Sequence, residues 1–461
     1  MAISAAFMVP HPPIIIPDIG KGEEQKIRKT TDAYQTAARR IGSLKPETIV
    51  LMSPHQALYS DYFHISPGES ASGNFAQFRA PQVQMEVRYD TEFVEQLCKL
   101  ADAADFPAGL EGERDRQLDH GTIVPLYFVN RYVKDYRLVR IGLSGLPLKM
   151  HYQLGQYIQE TAKLLNRTTV LIASGDLSHR LKEDGPYGYR EEGPEYDSRI
   201  MDVMGDAAFG ELFRFSEDFC EKAGECGHRS FTIMAGALDQ LKVEAEALSY
   251  EGTFGVGYGV CSYTVCGSDT KRNFKEQFEE KEHAEIAMRR EQEDAYVRLA
   301  RKTIESYVRT GEKIAVPDGL PRELYSRKAG VFVSIKENGC LRGCIGTIHA
   351  VQTSVAEEIV ENAISAACRD PRFRPVRQEE LDELVISVDV LGETEKIDAP
   401  DKLDVKRYGV IVTKGRKRGL LLPNLDGIDT VEEQIAVAKR KAGIGEEEDI
   451  TLERFEVIRH F

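Results

Sequence analysis

The chain has 461 residues, 42% of them hydrophobic and 29% charged, with a formal net charge of -15. That length exceeds the roughly 100–200 residues that one core usually serves, so two domains are expected. The acidic balance argues against nucleic acid or a membrane as a partner, because both polyanions attract basic surfaces. The longest apolar runs also fall short of the roughly 18 residues that would suggest a membrane span.

Residues 1–16 have no basic leader and are interrupted by Pro10, Pro12 and Pro13, which reads as a first strand rather than a targeting signal and predicts a cytoplasmic protein. Eight cysteines in a chain this long predict free thiols in a reducing compartment.

The first strand, around Ala5 to Pro10, runs into His11. Residues 20–44 place Ile27, Tyr34, Ala38 and Ile41 at helical intervals, and the apolar run 48–54 then ends at His55. Strand, helix, strand within 55 residues is a βαβ unit, so the sheet should be largely parallel. Pro67 to Gly73, close to His64, reads as a loop able to cover a site. Residues 92–104 and the stretch opening at Asp119-His120-Gly121-Thr122 read as helices, 138–143 as a strand and 152–166 as a helix.

The run 169–174 is a buried strand that breaks into Gly175-Asp176-Leu177-Ser178-His179, with Asp176 suited to cap a helix beginning near Leu177. Residues 195–241 are helical with one break at 223–230, and 245–253 and 258–265 read as closing strands.

The expected organisation is an α/β domain over 1–266, a charged, partly helical linker over 267–288, and a smaller α+β domain over 289–461. In the second domain, 296–309 and 354–368 read as helices, 331–335 and 384–391 as strands, and 408–422 as a hairpin around Lys414-Gly415-Arg416.

If the strands are parallel, His11, His55 and His179 meet at the carboxyl edge of one sheet, where ligands bind in open α/β folds. Two histidines and one carboxylate on one face, with open positions opposite, suit Fe(II) that handles dioxygen. His11 and His55 supply the histidines and Glu225 is chosen as the carboxylate, with Cys226 and His228 open as alternatives. Glu225 also suits an exposed first-turn acid at a helix start, where the dipole favours it. His179 reads as an acid-base residue, since an unperturbed imidazole titrates near about 6.5. His120 is expected to orient bound oxygen or substrate. Cys344, close to Arg342 in a glycine-containing turn, suits a nucleophile because a nearby cation favours thiolate, and it equally suits a buried structural thiol. Cys340 and Cys344 offer half a zinc site, but no second ligand pair lies nearby.

Val9-Pro10-His11-Pro12, Ser53-Pro54-His55, Asp119-His120-Gly121-Thr122 and Ser174-Gly175-Asp176-Leu177-Ser178-His179 together resemble the class III extradiol dioxygenases of the catalytic-subunit type, including the Memo branch. The resemblance implies Fe(II) held by His11, His55 and Glu225, a small aromatic diol as substrate, His179 as acid-base and His120 in the second sphere. Glu225-Cys226-Gly227 departs towards the Memo branch, where a cysteine occupies this region. Leu341-Arg342-Gly343-Cys344-Ile345-Gly346 and Asp370-Pro371-Arg372-Phe373 resemble the AMMECR family. Both domains in one chain are similar to the non-radical components of AmmeMemoRadiSam systems, which implies a radical SAM protein partner. A homo-oligomer is also expected.

Overall fold

The computed structural model describes residues 2–337, 340–425 and 427–461, with the Cys340 side chain outside the description. It divides into two compact units, Met1–Glu279 and Glu280–Phe461.

The first unit is built on a six-stranded sheet. Its spatial order is Arg137–Gly142, Thr48–Ser53, Thr169–Ser174, Ile3–Val9, Tyr258–Ser268 and Leu241–Glu251. The first four strands are mutually parallel, with Met52 and Met8 each opposite Ala173. The last two join antiparallel, Met8 lying opposite Cys261. The sheet is therefore mixed. Parallel pairing needs a crossover of a dozen or more residues, and the short turn 252–257 allows only a hairpin.

Both faces of the parallel strands are covered, which explains why they read as continuous apolar runs. Phe7 and Val9 pack in one core with Tyr34 and Ile41 of the helix Arg28–Leu44. Met8 packs in the opposite core with Tyr152 of Leu148–Leu164 and Ile233 of His228–Ala237.

Three local expectations change. Ser70–Phe75 pairs with Ala80–Arg88 as a hairpin, so the Gly- and Ser-rich segment runs into a strand instead of forming an irregular lid. His64 is buried in the short strand Phe63–His64, with Nδ1 2.8 Å from Glu111 O. No helix begins at Leu177; the chain stays irregular until Glu192–Gly205, so Asp176 caps nothing.

A helix covers Phe274–Gln292. The second unit carries an antiparallel sheet ordered Cys340–Gly346, Val331–Glu337, Leu384–Leu391, Thr451–His460, Tyr408–Lys414 and Lys417–Leu421. The helices Ala295–Thr310 and Val355–Cys368 bury Leu299, Ile304, Ile359 and Ala363 against it.

Candidate metal centre

Three parallel strands deliver His11, Ser53 to His55, and Ser174 to His179 to one sheet edge. The Pro10-His11 turn is anchored by the Tyr34 hydroxyl, which donates to Pro10 O. The His11 backbone N–H donates to Asp176 Oδ1 at 2.7 Å. His11 Nδ1 lies 2.9 Å from Ser174 Oγ, and that hydroxyl donates to Gly121 O at 2.6 Å. A serine has one hydroxyl proton, and a carbonyl only accepts. Ser174 must therefore accept from His11, which puts the imidazole proton on Nδ1 and leaves a lone pair on Nε2.

That lone pair points at His55 Nε2, 2.8 Å away, with Cys226 Sγ 3.7 Å from His11 Nε2. His11, His55 and Cys226 each offer a ligand atom, and the three lie within 4.8 Å of one another. Two nitrogens about 2.0–2.1 Å from one metal at a right angle lie about 3 Å apart, so the histidine pair fits a shared ion. His11 is buried and His55 exposed, so the centre opens to solvent on one side.

The approach of Cys226 depends on two glycines. A Cβ on Gly175 would collide with the Gly227 Cα, and one on Gly227 would come within 3.0 Å of the Gly175 Cα. Only with both side chains absent does the loop reach the strand end. There Asp176 N–H donates to Cys226 Sγ at 3.3 Å, and Cys226 N–H donates to Asp176 O at 3.3 Å.

Glu225, expected as the third ligand, is turned away. Its Oε2 accepts from His228 N–H at 2.6 Å, where an unpaired donor opens the helix His228–Ala237. His228 is also occupied, with Nε2 3.0 Å from Leu212 O and Nδ1 3.2 Å from the Tyr196 hydroxyl. Of the three alternatives in this loop, the thiol of Cys226 faces the histidines. Asp176, read only as a cap, brings Oδ2 to 3.9 Å from His11 Nε2.

His120 opens the helix His120–Val129, with Asp119 as its cap. Asp119 Oδ1 accepts from Thr122 N–H at 3.0 Å and from the Ser53 hydroxyl at 2.6 Å, pinning the helix start to a strand end. The His120 ring centroid lies 3.9 Å from that of His55 and 5.4 Å from that of His11. His179 Nδ1 lies 2.6 Å from Gly224 O, so the proton sits on Nδ1 and Nε2 is free to accept another.

Burial pulls His11 well below its ordinary pKa, and His55, His120 and His179 add to this. Burial also lowers His55 and His179, and brings His120 down to about 4, His55 contributing. The imidazoles are neutral at pH 7, the form that ligates. Burial raises Asp176 to about 7 and the Cys226 thiol well above its usual range, Asp176 and Glu225 adding to the latter. A bound cation reverses that preference by stabilising the thiolate and carboxylate. Phe78 sits 5.5 Å from His120 and Tyr187 5.1 Å from His179, centroid to centroid, giving the centre an aromatic rim.

Cys344 lies in the second unit, on the strand Cys340–Gly346. Pairing it with Cys340 as a zinc half-site falls outside the described side chains.

The mixed α/β sheet and the cluster of His11, His55 and Cys226 at its edge, which could hold a metal ion, are those of a domain of the extradiol dioxygenase kind. Residues 5–261 match the family model described as the catalytic LigB subunit of aromatic ring-opening dioxygenase, and 297–460 match the AMMECR1 model. The chain belongs to the LigB family of aromatic ring-opening dioxygenase catalytic subunits, fused here to an AMMECR1 domain. Protein CA_C1420 of Clostridium acetobutylicum is 42% identical, covering 100% of this chain and 99% of its own length. A protein of Thermotoga maritima is 50% identical over 32% of this chain and 87% of its own length. Among solved structures, protein PH0010 of Pyrococcus horikoshii is 39% identical over 36% of this chain and 88% of that one, with a TM-score of 0.34.

Proposed function

We propose that the first unit is a metalloenzyme that binds Fe(II) through His11, His55 and Cys226 and oxidises a small aromatic diol. The observation that carries this reading is the pair of Nε2 atoms 2.8 Å apart, one with its lone pair fixed by Ser174, with the Cys226 sulfur beside them. Iron there would supply a Lewis-acid point for the adjacent oxygens of a diol. Phe78 and Tyr187 offer rings against which an aromatic substrate stacks. His179 takes the hydroxyl proton on Nε2 while Gly224 O holds its other nitrogen. Neutral His120 orients the substrate oxygens by hydrogen bonding.

The test is the iron content of anaerobically purified protein, followed by catechol turnover under oxygen. Wild type and Glu225→Gln should hold near-stoichiometric iron, Cys226→Ala should not, and His55→Ala should lose both iron and turnover. Iron lost in Glu225→Gln and kept in Cys226→Ala would overturn the ligand set. Catechol turnover surviving His55→Ala would overturn the reaction.

A second reading is favoured by the fusion of both domains in one chain and by a thiol where a carboxylate was expected. In it the protein works with a radical SAM partner in the cytoplasm, and activity appears only on reconstitution with that partner.

A further inference from the structure

The second unit contains a cleft of about 1030 Å³. One wall is apolar: Phe332, Ile348, Leu420 and Leu425 line it and are only partly buried where they pack against Leu422 and Phe455. The lining also carries the cations Arg289, Lys336, Arg372 and Lys441, while its carboxylate Glu293 is paired with Arg301. Among the described residues, no carboxylate forms an ion pair with Arg289, Lys336 or Lys441. This concentration of positive charge stands out in a protein of net charge -15.

Cys344 also lines the cleft and is held from several sides. Its N–H donates to Asp370 Oδ2 at 2.9 Å, and its carbonyl accepts from Arg372 Nη2 at 3.1 Å. Arg372 is itself locked by two bonds to Asp370, Nε to Oδ1 at 3.0 Å and Nη2 to Oδ2 at 2.7 Å. The Ser334 hydroxyl, across the strand pair, donates to Cys344 Sγ at 3.2 Å. Lys441, on the helix Val431–Ala442, is close enough to interact electrostatically with both Cys344 and Arg372.

We propose that this cleft is a binding site for a small amphipathic organic anion, its carboxylate or phosphate held by Lys441 and Lys336 beside the Cys344 thiol and its apolar body against Phe332, Ile348 and Leu420. An apolar wall alone would accept neutral hydrocarbons, and cations on an open surface would attract any anion weakly. The two together in one concavity select molecules that carry both features. Cys344 is partly exposed, so a ligand seated there covers its sulfur.

The full-length protein tests this through thiol chemistry. Cys344 and the exposed Cys266 are alkylated with iodoacetate or iodoacetamide, and each rate is read by peptide mass spectrometry. The iodoacetate-to-iodoacetamide rate ratio should be severalfold higher at Cys344 than at Cys266, and in the Lys441→Gln, Lys336→Gln double variant it should fall to the Cys266 value. Equal ratios in wild type, or a raised ratio that survives the double substitution, would overturn the cationic half of the site. With iodoacetamide, 4-phenylbutyrate or phenyl phosphate should protect Cys344 at concentrations at least tenfold below 4-phenylbutanol or inorganic phosphate. Protection by 4-phenylbutanol as good as by 4-phenylbutyrate, or by inorganic phosphate as good as by phenyl phosphate, would refute the amphipathic ligand. Comparing the two amphipathic probes tells a carboxylate site from a phosphate site. No protection by either would refute the cleft as their site.

Discussion

Replacing Ser174 by Ala isolates the group that sets the His11 tautomer without touching a ligand. Ser174 Oγ accepts from His11 Nδ1 at 2.9 Å and donates to Gly121 O at 2.6 Å. Its loss leaves a buried N–H and a buried carbonyl without this partner, each costing about 1–3 kcal/mol. It also frees His11 to place its proton on Nε2, the nitrogen that should face the metal. Outer-shell partners of metal-bound histidines typically contribute 10–100-fold in affinity, so the Fe(II) dissociation constant should rise by that factor, or about 1.4–2.8 kcal/mol. The assay is anaerobic competition against a chelating dye, paired with imidazole 15N shifts that report the tautomer. Thr161→Val serves as the control, since it removes a buried hydroxyl 2.8 Å from Tyr157 O within a helix. It should lower thermal stability without weakening the metal. Unchanged iron affinity in folded Ser174→Ala would refute the tautomer argument.

Three further outcomes are expected. Gly175→Ala forces a Cβ into the Gly227 Cα, so the loop must retreat; overpacking of this kind costs about 1–3 kcal/mol. Both melting temperature and bound metal should fall, and a normal value of either would contradict the close approach. In the second unit, the bonds from Arg372 hold Asp370 down to about 2, below the roughly 3.9 of an unfolded aspartate. That stabilisation is complete above about pH 4 and is lost as pH falls towards 2. Protection of the Cys344 amide against hydrogen exchange should follow this course in wild type and lose the dependence in Asp370→Asn; matching profiles would exclude the pair as its source. Finally, Cys226→Asp exchanges a soft thiolate for a hard carboxylate. It should keep Fe(II) while losing at least tenfold in Cu(I) affinity, because soft ligands favour Cu(I). Equal losses for both ions in competition titrations would count against Cys226 as a ligand.

Much of the first unit was legible because its strands are buried on both faces. Apolar runs ending in Pro-His or Ser-Gly-Asp announce both a strand and its crevice end, so the sequence pattern alone brings His11, His55 and His179 to one edge. The histidine-bearing turn before His120 was equally visible, because Asp119 caps its helix by a local bond to Thr122. The antiparallel edge was harder to read: two closing strands were evident, and their direction depended on how few residues separate them. The helix expected after Leu177 failed for a different reason. Asp176 has the composition of a cap, but its carboxylate is taken by the His11 N–H from another strand, a tertiary bond that local pattern does not encode.

The third ligand shows where sequence spacing stops being informative. Glu225, Cys226 and His228 lie within four positions, and any of them is chemically credible as a ligand. What separates them is the direction each side chain takes as the chain enters the helix at His228. Glu225 turns to the helix's first N–H and His228 turns into the core, leaving Cys226 against Asp176 and His11. The signal that could have decided this was the glycines flanking the puzzle, because Gly175 and Gly227 touch backbone to backbone. Contact at Gly227 places the residue just before it nearest the strand end, and Glu225 one step further out. A glycine at a strand end and another in a distant ligand-bearing loop, treated as a contact pair, would have favoured the thiol over the carboxylate.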